Sequence, residues 1–222
     1  MTVDSPGLRV IDVSKTFQES KQTVFKNVSF DLAHNGRLAL LGRNGQGKST
    51  LIRMLGGNTP PTTGQIIWRM NPSWPIGFAG GFQGSLSGLD NVRFLSRLYN
   101  KDYNEVLRVV DDFAELGMKL KGPVKHYSAG MRARLAFGLS IAIEFDCYLI
   151  DELVAVGDAR FQQKCQEALF EKRANRAFLM ASHNMHLIEE HCDRALIIES
   201  GKAKMFNDIQ EAIEVYTWLR AA

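Results

Sequence analysis

With 222 residues the chain has room for one compact domain, or a core domain with a small subdomain, and not for two copies of the same machinery. Hydrophobic residues make up 45% of it and run along its whole length, which argues against disorder. Lys and Arg number 27 against 24 Asp and Glu, a net charge of +3 that is too mild to imply nucleic acid as a partner. The placement of the charges says more. No carboxylate occurs between Asp31 and Asp90, where composition predicts about six, while Arg37, Arg43, Lys48, Arg53 and Arg69 all fall inside that stretch. Such a segment suits a polyanion.

The start, MTVDSPGLRV, has no charged region leading into an apolar one, so a chain that stays in the cytosol is expected. The uncharged run from Met70 to Leu89 is rich in Gly, Pro, amides and hydroxyls, which disfavours a lipid-exposed helix. Cys147, Cys165 and Cys192 are odd in number and spaced for neither zinc nor redox chemistry, so buried reduced thiols are expected.

Residues 8–13 (LRVIDV) and 24–32 (VFKNVSFDL) read as strands, the second turning Val28, Phe30 and Leu32 inward and Ser29 and Asp31 outward. That alternation predicts a half-exposed antiparallel layer. Residues 37–41 (RLALL), 147–151 (CYLID), 177–181 (AFLMA) and 194–199 (RALIIE) are short continuous apolar runs separated by helical patterns. They predict buried parallel strands in an α/β core. Turn clusters fall at 58–64, 71–88 and 119–128, and a helical insert from about Asn91 to Lys121 lies between the strands.

Gly42-Arg-Asn-Gly-Gln-Gly-Lys-Ser49 is a full match to GxxxxGK[ST], set between the apolar strand LALL and the helical LIRML, as that motif requires. Gly42, Gly45 and Gly47 let the backbone curl so that its N–H groups, with those of Asn44 and Thr50, face a phosphate chain at a helix start. Lys48 is expected to reach the β- and γ-phosphates of a nucleotide, and Ser49 to give its hydroxyl to Mg²⁺. Tyr148-Leu-Ile-Asp151 ends an apolar run in the acid that a metal needs, and Glu152 follows on the other face, where a carboxylate can polarise an attacking water.

Tyr127-Ser-Ala-Gly-Met131, followed by RARLAFGLSIAI and the strand ending in Asp151, resembles the signature motif of ATP-binding cassette (ABC) ATPases, usually LSGGQ. Tyr127, Ala129 and Met131 depart from that form. The resemblance implies that Ser128 and Gly130 touch the γ-phosphate across a dimer interface; both suit a helix start that receives an anion. Lys119, Lys121, Lys125, Arg132 and Arg134 add positive charge, with no carboxylate between Glu115 and Glu144.

The same likeness implies further roles. Gln83, in GFAGGFQGSLSG, matches the glutamine that binds Mg²⁺ or the attacking water. Asp158, in AVGD, matches the D-loop aspartate, although Leu153 stands where the family usually has Pro and Gly157 where it has Leu. His183, in MASHNM, matches the switch histidine, a donor to the γ-phosphate. Phe17, in SKTF, matches the aromatic that stacks on adenine, with Phe25 as a second platform. The catalytic set is therefore Glu152, His183 and Lys48, and the metal set Ser49, Gln83 and Asp151.

The motifs span Phe17 to His183, so the likeness implies the cassette architecture for residues 1–222: a RecA-like P-loop core with a parallel sheet, an antiparallel β layer, and a helical subdomain inserted at about 84–143. One P-loop and one signature per chain imply a head-to-tail homodimer with two ATP sites. The block 71–88, the short signature YSAGM and DELVAVGD together resemble cassettes of polysaccharide exporters, most closely the ATP-binding subunits of Gram-negative capsule exporters. That likeness implies a peripheral protein on the cytoplasmic face of the inner membrane, paired with a multi-span permease and through it with periplasmic and outer-membrane export components. The cargo would be a glycolipid-linked polysaccharide held mainly by the permease. Teichoic acid or O-antigen export is the near alternative. A cassette ATPase of translation or DNA repair would carry tandem cassettes, a coiled coil or a zinc insert, and a P-loop kinase would need an acceptor pocket and lid.

Overall fold

The computed structural model describes residues 6–17, 19, 21–76, 83–152 and 158–221. In chain order the elements are β1 (Leu8–Phe17), β2 (Gln22–Leu32), β3 (Arg37–Leu41), α1 (Lys48–Leu55), β4 (Thr63–Trp68), α2 (Gly88–Leu98), α3 (Tyr103–Ala114) and α4 (Ala129–Ile143). They continue with β5 (Cys147–Asp151), α5 (Ala159–Gln166), β6 (Ala177–Ala181), α6 (Met185–His191), β7 (Arg194–Glu199), β8 (Lys202–Phe206) and α7 (Ile209–Ala221). Short 3-10 turns cover Gly117–Lys121 and Val124–His126, and a π-helical turn, Glu167–Glu171, follows α5. The chain divides into two compact units.

The first unit takes its residues from 1–75, 146–152 and 175–222. It holds both sheets. One has the order β2-β1-β4, antiparallel throughout; the other has the order β5-β6-β3-β7-β8, parallel except for its last pair. The alternation read in 24–32 survives in β2, where Val28, Phe30 and Leu32 are buried and Ser29 and Asp31 exposed. The continuous apolar strands are buried along nearly their whole length, as expected of strands covered on both faces. Leu8, Val10 and Phe25 from the antiparallel layer, Leu51 and Ile52 from α1, and Leu38, Leu149, Leu179 and Leu196 from the parallel sheet share one core. Each such side chain contributes about 1.5–3 kcal/mol of burial.

Two strands lie outside the sequence expectation. β4 begins in the turn cluster 58–64 and pairs with β1, its Trp68 indole donating to the Leu55 carbonyl at 3.1 Å. β8 closes the parallel sheet as an antiparallel edge, alternating Lys202 and Lys204 with Ala203 and Met205. Edge lysines of this kind discourage further strand pairing.

The second unit, from 76–145 and 153–174, is helical. Its α2 starts three residues before the expected Asn91 because Ser87 caps it, accepting from the Asp90 N–H at 3.0 Å. α3 and α4 pack face to face with Phe113 stacked on Phe137 at 5.2 Å. Cys147, Cys165 and Cys192 are all reduced and buried. Burial pushes the thiols of Cys165 and Cys192 up to about 12, and that of Cys147 further in the same direction. No helix among the described residues is long and apolar enough to cross a membrane.

Candidate functional site

Register assembles the site in the first unit. Asp151 pairs with Ala181, and Ala181 with Leu40, so the C-terminal ends of β5, β6 and β3 finish side by side. The residues that succeed these strands therefore meet at one edge: Glu152 after β5, Ser182 and His183 after β6, and the loop 42–47 after β3. This is where open parallel sheets bind ligands. Asn44, Gly45, Gly47, Lys48, Ser49, Thr50, Asp151, Glu152 and His183 line one cavity of about 450 Å³.

The loop needs its glycines for two different reasons. Gly47 is left-handed at φ 102°, and a Cβ there would strike the side chains of Val24 and Phe25. At Gly42 a Cβ would strike the Ile198 carbonyl of β7. The loop thus lies tight against β2 and β7 while its other side stays open. Arg43 anchors it through an ion pair with Glu199, and Gln46 accepts from the Ser200 N–H at 2.8 Å.

α1 begins at Gly47 with no side-chain cap and no acid in its first turn. The other described α-helices all have a side chain accepting at their start: Ser87, Asp102, Ser128, Asp158, Asn184 and Asp208. The amides of a helix start must find partners, and at α1 a phosphate is the fitting one.

Lys48 Nζ donates to the carbonyls of Gly42 at 2.6 Å and Arg43 at 3.1 Å. Burial lowers its pKa, while Glu152, Asp151 and Glu199 pull the other way. The Ser49 hydroxyl donates to Asp151 Oδ1 at 2.9 Å. Among the described residues no group of three or more His, Cys, Asp or Glu could hold a metal by itself. Two hard oxygens at Ser49 and Asp151 nevertheless fit Mg²⁺, which takes one or two protein ligands and completes its shell with phosphate and water. Glu152 has φ 52° and donates its N–H to the Ala181 carbonyl at 2.9 Å; its Oε1 lies 3.0 Å from His183 Nε2. The Glu152 side chain thus meets His183, while Ser49 and Asp151 pair with each other.

Phe17 ends β1 and is 42% exposed, with the Lys15 ammonium 5.2 Å from its ring centre, whereas Phe25 is fully buried. The second platform is thereby corrected: the ring of Phe25 is part of the core beneath Gly47 and has no open face for a base.

The remaining expected residues stand in the helical unit. Ser128 caps α4, accepting from the Met131 N–H at 3.2 Å, and a Cβ on Gly130 would meet only Ser128 Oγ, at 3.9 Å. Tyr127, at the position usually Leu, is buried, and its hydroxyl donates to the Lys119 carbonyl at 2.7 Å beside Gly88. Gln83 has an exposed side chain. The segment after it pairs with the segment before the signature: Lys125 N–H donates to Gly84 at 2.7 Å and Val124 N–H to Leu86 at 2.9 Å. Asp158 caps α5 through the Phe161 N–H at 2.9 Å and pairs with Arg134 at 3.1 Å. Of the expected basic cluster, Arg134 is held by Glu115 and Asp158, and Arg132 donates to the Tyr127 carbonyl at 2.6 Å, so part of that charge is turned inward. Leu153, Gly157 and the glycines of 77–82 lie outside the described residues.

Two contacts were not visible in the sequence. Tyr216 of α7 donates its hydroxyl to the Gly42 carbonyl at 3.3 Å, and with Arg43, Asn44, His183 and Arg220 it lines an adjoining cavity of about 340 Å³. Asn91 of α2 holds the backbone of Gln83. A helical spacing of Ala212 and Tyr216 was the available signal for the first; nothing in the sequence pointed to the second.

The ABC transporter family matches residues 25–155. The chain is 49% identical to the capsule polysaccharide export ATP-binding protein CtrD of Neisseria meningitidis serogroup B, over 96% of this chain and 99% of that protein. It is also 49% identical to the ATP-binding protein BexA of Haemophilus influenzae, over 94% and 97% respectively. A solved ATP-binding subunit of an ABC transporter superposes with a TM-score of 0.79 at 24% identity, covering 97% of this chain and 95% of that one, which establishes the shared fold.

Proposed function

Because the chain belongs to the ABC transporter family of ATP-binding proteins, which hydrolyse ATP, we propose that it powers capsular polysaccharide export as a head-to-tail homodimer bound to a multi-span permease at the cytoplasmic face of the inner membrane. One observation carries the ATPase part of this reading: strand register brings Lys48, Ser49, Asp151, Glu152 and His183 around one cavity at an uncapped helix start. The phosphates lie along the amides of 44–50, with Lys48 leaving its carbonyls for the β- and γ-oxygens. Ser49 and Asp151 would hold Mg²⁺, with Gln83 the further ligand that the family likeness implies, and the ion would offset charge on the phosphates. Glu152 orients the attacking water and accepts its proton, and His183 donates to the γ-phosphate. Phe17 stacks on adenine. Ser128 and Gly130, in the helical subdomain, complete the site of the partner protomer, with Asp158 beside them.

Capsule export is favoured over teichoic acid or O-antigen export because the likeness to the capsule polysaccharide export protein of Neisseria meningitidis runs over 96% of this chain and 99% of that one.

The experiment mixes two inactive variants, Lys48→Ala and Ser128→Arg. Each homodimer has two broken sites, but a mixed dimer gathers both defects in one site and leaves the other whole. Random pairing makes about half the dimers mixed, so ATPase activity near a quarter of wild type is expected for independent sites. Activity no greater than the sum of the separate variants rejects the head-to-tail arrangement.

A further inference from the structure

Asn91 is 1% exposed, on the first turns of α2 between Val92 and the end of the Gly-rich block. A buried carboxamide is costly unless every donor and acceptor is used. Here they are. Oδ1 accepts from the Gln83 N–H at 2.7 Å, and Nδ2 donates to the Gln83 carbonyl at 3.1 Å and to the Ser87 carbonyl at 2.8 Å. The two atoms cannot be exchanged, since an amide nitrogen facing the Gln83 N–H would set donor against donor.

Capping does not explain the residue, because Ser87 already caps α2 and its own hydroxyl donates to Asp90 at 2.6 Å. Packing does not explain it either: the neighbouring buried positions Val92 and Leu95 are apolar, and an apolar side chain would fill a core position without the desolvation cost. What the amide does that a hydrocarbon cannot is grip both polar groups of one residue eight positions away. Leu86 N–H also donates to the Gln83 carbonyl, at 3.1 Å, closing the turn from the other side. The backbone of Gln83 is therefore held at both ends of its peptide framework while its side chain is exposed.

We propose that Asn91 is a positioning residue for ATP hydrolysis, fixing the backbone that presents the Gln83 carboxamide. This rests on the proposed role of Gln83. A displacement of about 1 Å in a positioned group costs up to about 100-fold in rate, so a residue that never touches substrate can set turnover.

The test is a double-mutant cycle in ATP turnover, with KM for ATP and the unfolding midpoint measured on the same preparations. Asn91→Ala is expected to lower kcat about tenfold with KM within about twofold, and Asn91→Ala with Gln83→Ala to be no slower than Gln83→Ala alone. A merely structural role would instead make the two losses multiply, which overturns the proposal. Wild-type kcat in Asn91→Ala also overturns it. Normal turnover in Gln83→Ala would remove the role of Gln83 and this proposal together, an outcome distinct from a Gln83 defect that multiplies with the Asn91 defect. Should Asn91→Ala fail to fold, amide exchange in the wild-type chain decides: the Gln83 amide is expected to exchange at least about tenfold more slowly than in an unstructured peptide. Exchange at the unstructured rate overturns the clamp.

Discussion

The starts of α1 and α4 are assigned to the same kind of ligand but built in opposite ways. α1 starts on a left-handed glycine whose missing side chain leaves the helix amides to be met by something other than a cap. α4 starts on Ser128, which satisfies the Met131 amide itself. Neither has an acid in its first turn, whereas α2, α3 and α7 carry Asp90, Glu105 and Glu211 there. Both positive helix ends are thus kept free of an acid of their own first turn. The difference teaches a division of labour. The α1 start gives up a cap worth about 1 kcal/mol so that phosphate can take its place, while the α4 start keeps its own cap on the Met131 amide.

The sharpest way to break this comparison is Gly47→Ala. The left-handed backbone and the contacts with Val24 and Phe25 leave no room for a methyl group. ATP affinity is expected to fall at least about 100-fold, or about 2.7 kcal/mol, in a labelled-nucleotide titration, with a lower unfolding midpoint. Wild-type affinity would mean that the loop tolerates another path. Gly130→Ala makes the same chemical change at the other helix, where the new methyl meets only Ser128 Oγ. Here stability should rise by about 0.5–1 kcal/mol, since alanine suits a helix better than glycine, while turnover drops about tenfold because the methyl stands where a phosphate must approach. A variant both stabler and fully active would detach Gly130 from the ligand.

The smallest expected effect concerns pH. The Lys164 ammonium, with Arg134 behind it, holds the Glu115 carboxyl below its usual range; the Phe161 N–H, with Arg134, does the same for Asp158. Groups with depressed folded pKa values stabilise above their unfolded values, near pH 4, and that support is lost as pH falls through the folded ones. Arg134 of α4 should therefore loosen in acid. Asp158→Asn should flatten part of the acid limb of an unfolding-midpoint titration, and an unchanged limb would show that the pair does not support the α4 region.

Legibility in the sequence followed burial. The strands ending in Asp151 and Ala181 could be read because both of their faces are covered, which forces an unbroken apolar run. β4 could not, since Ile66 and Trp68 are only half-buried and the strand exists through its pairing with β1. Likewise the phosphate loop was legible because a curled backbone demands glycine and a charged ligand demands lysine. Phe17 and Phe25 look alike in sequence, and only the packing beneath Gly47 separates them. Asn91 was silent because its partners are backbone groups, which every residue carries.

The buried thiols have a use as clocks. Alkylating reagents attack thiolates, and Cys147, Cys165 and Cys192 are both shielded and held in the neutral form, so labelling of each must wait for the surrounding structure to open. Cys147 and Cys192 belong to the unit with the sheets, Cys165 to the helical unit. One labelling time course, resolved by peptide, therefore reports how often each unit opens, separately and without an added probe. Nucleotide that grips the first unit alone would slow two of the clocks and leave the third running.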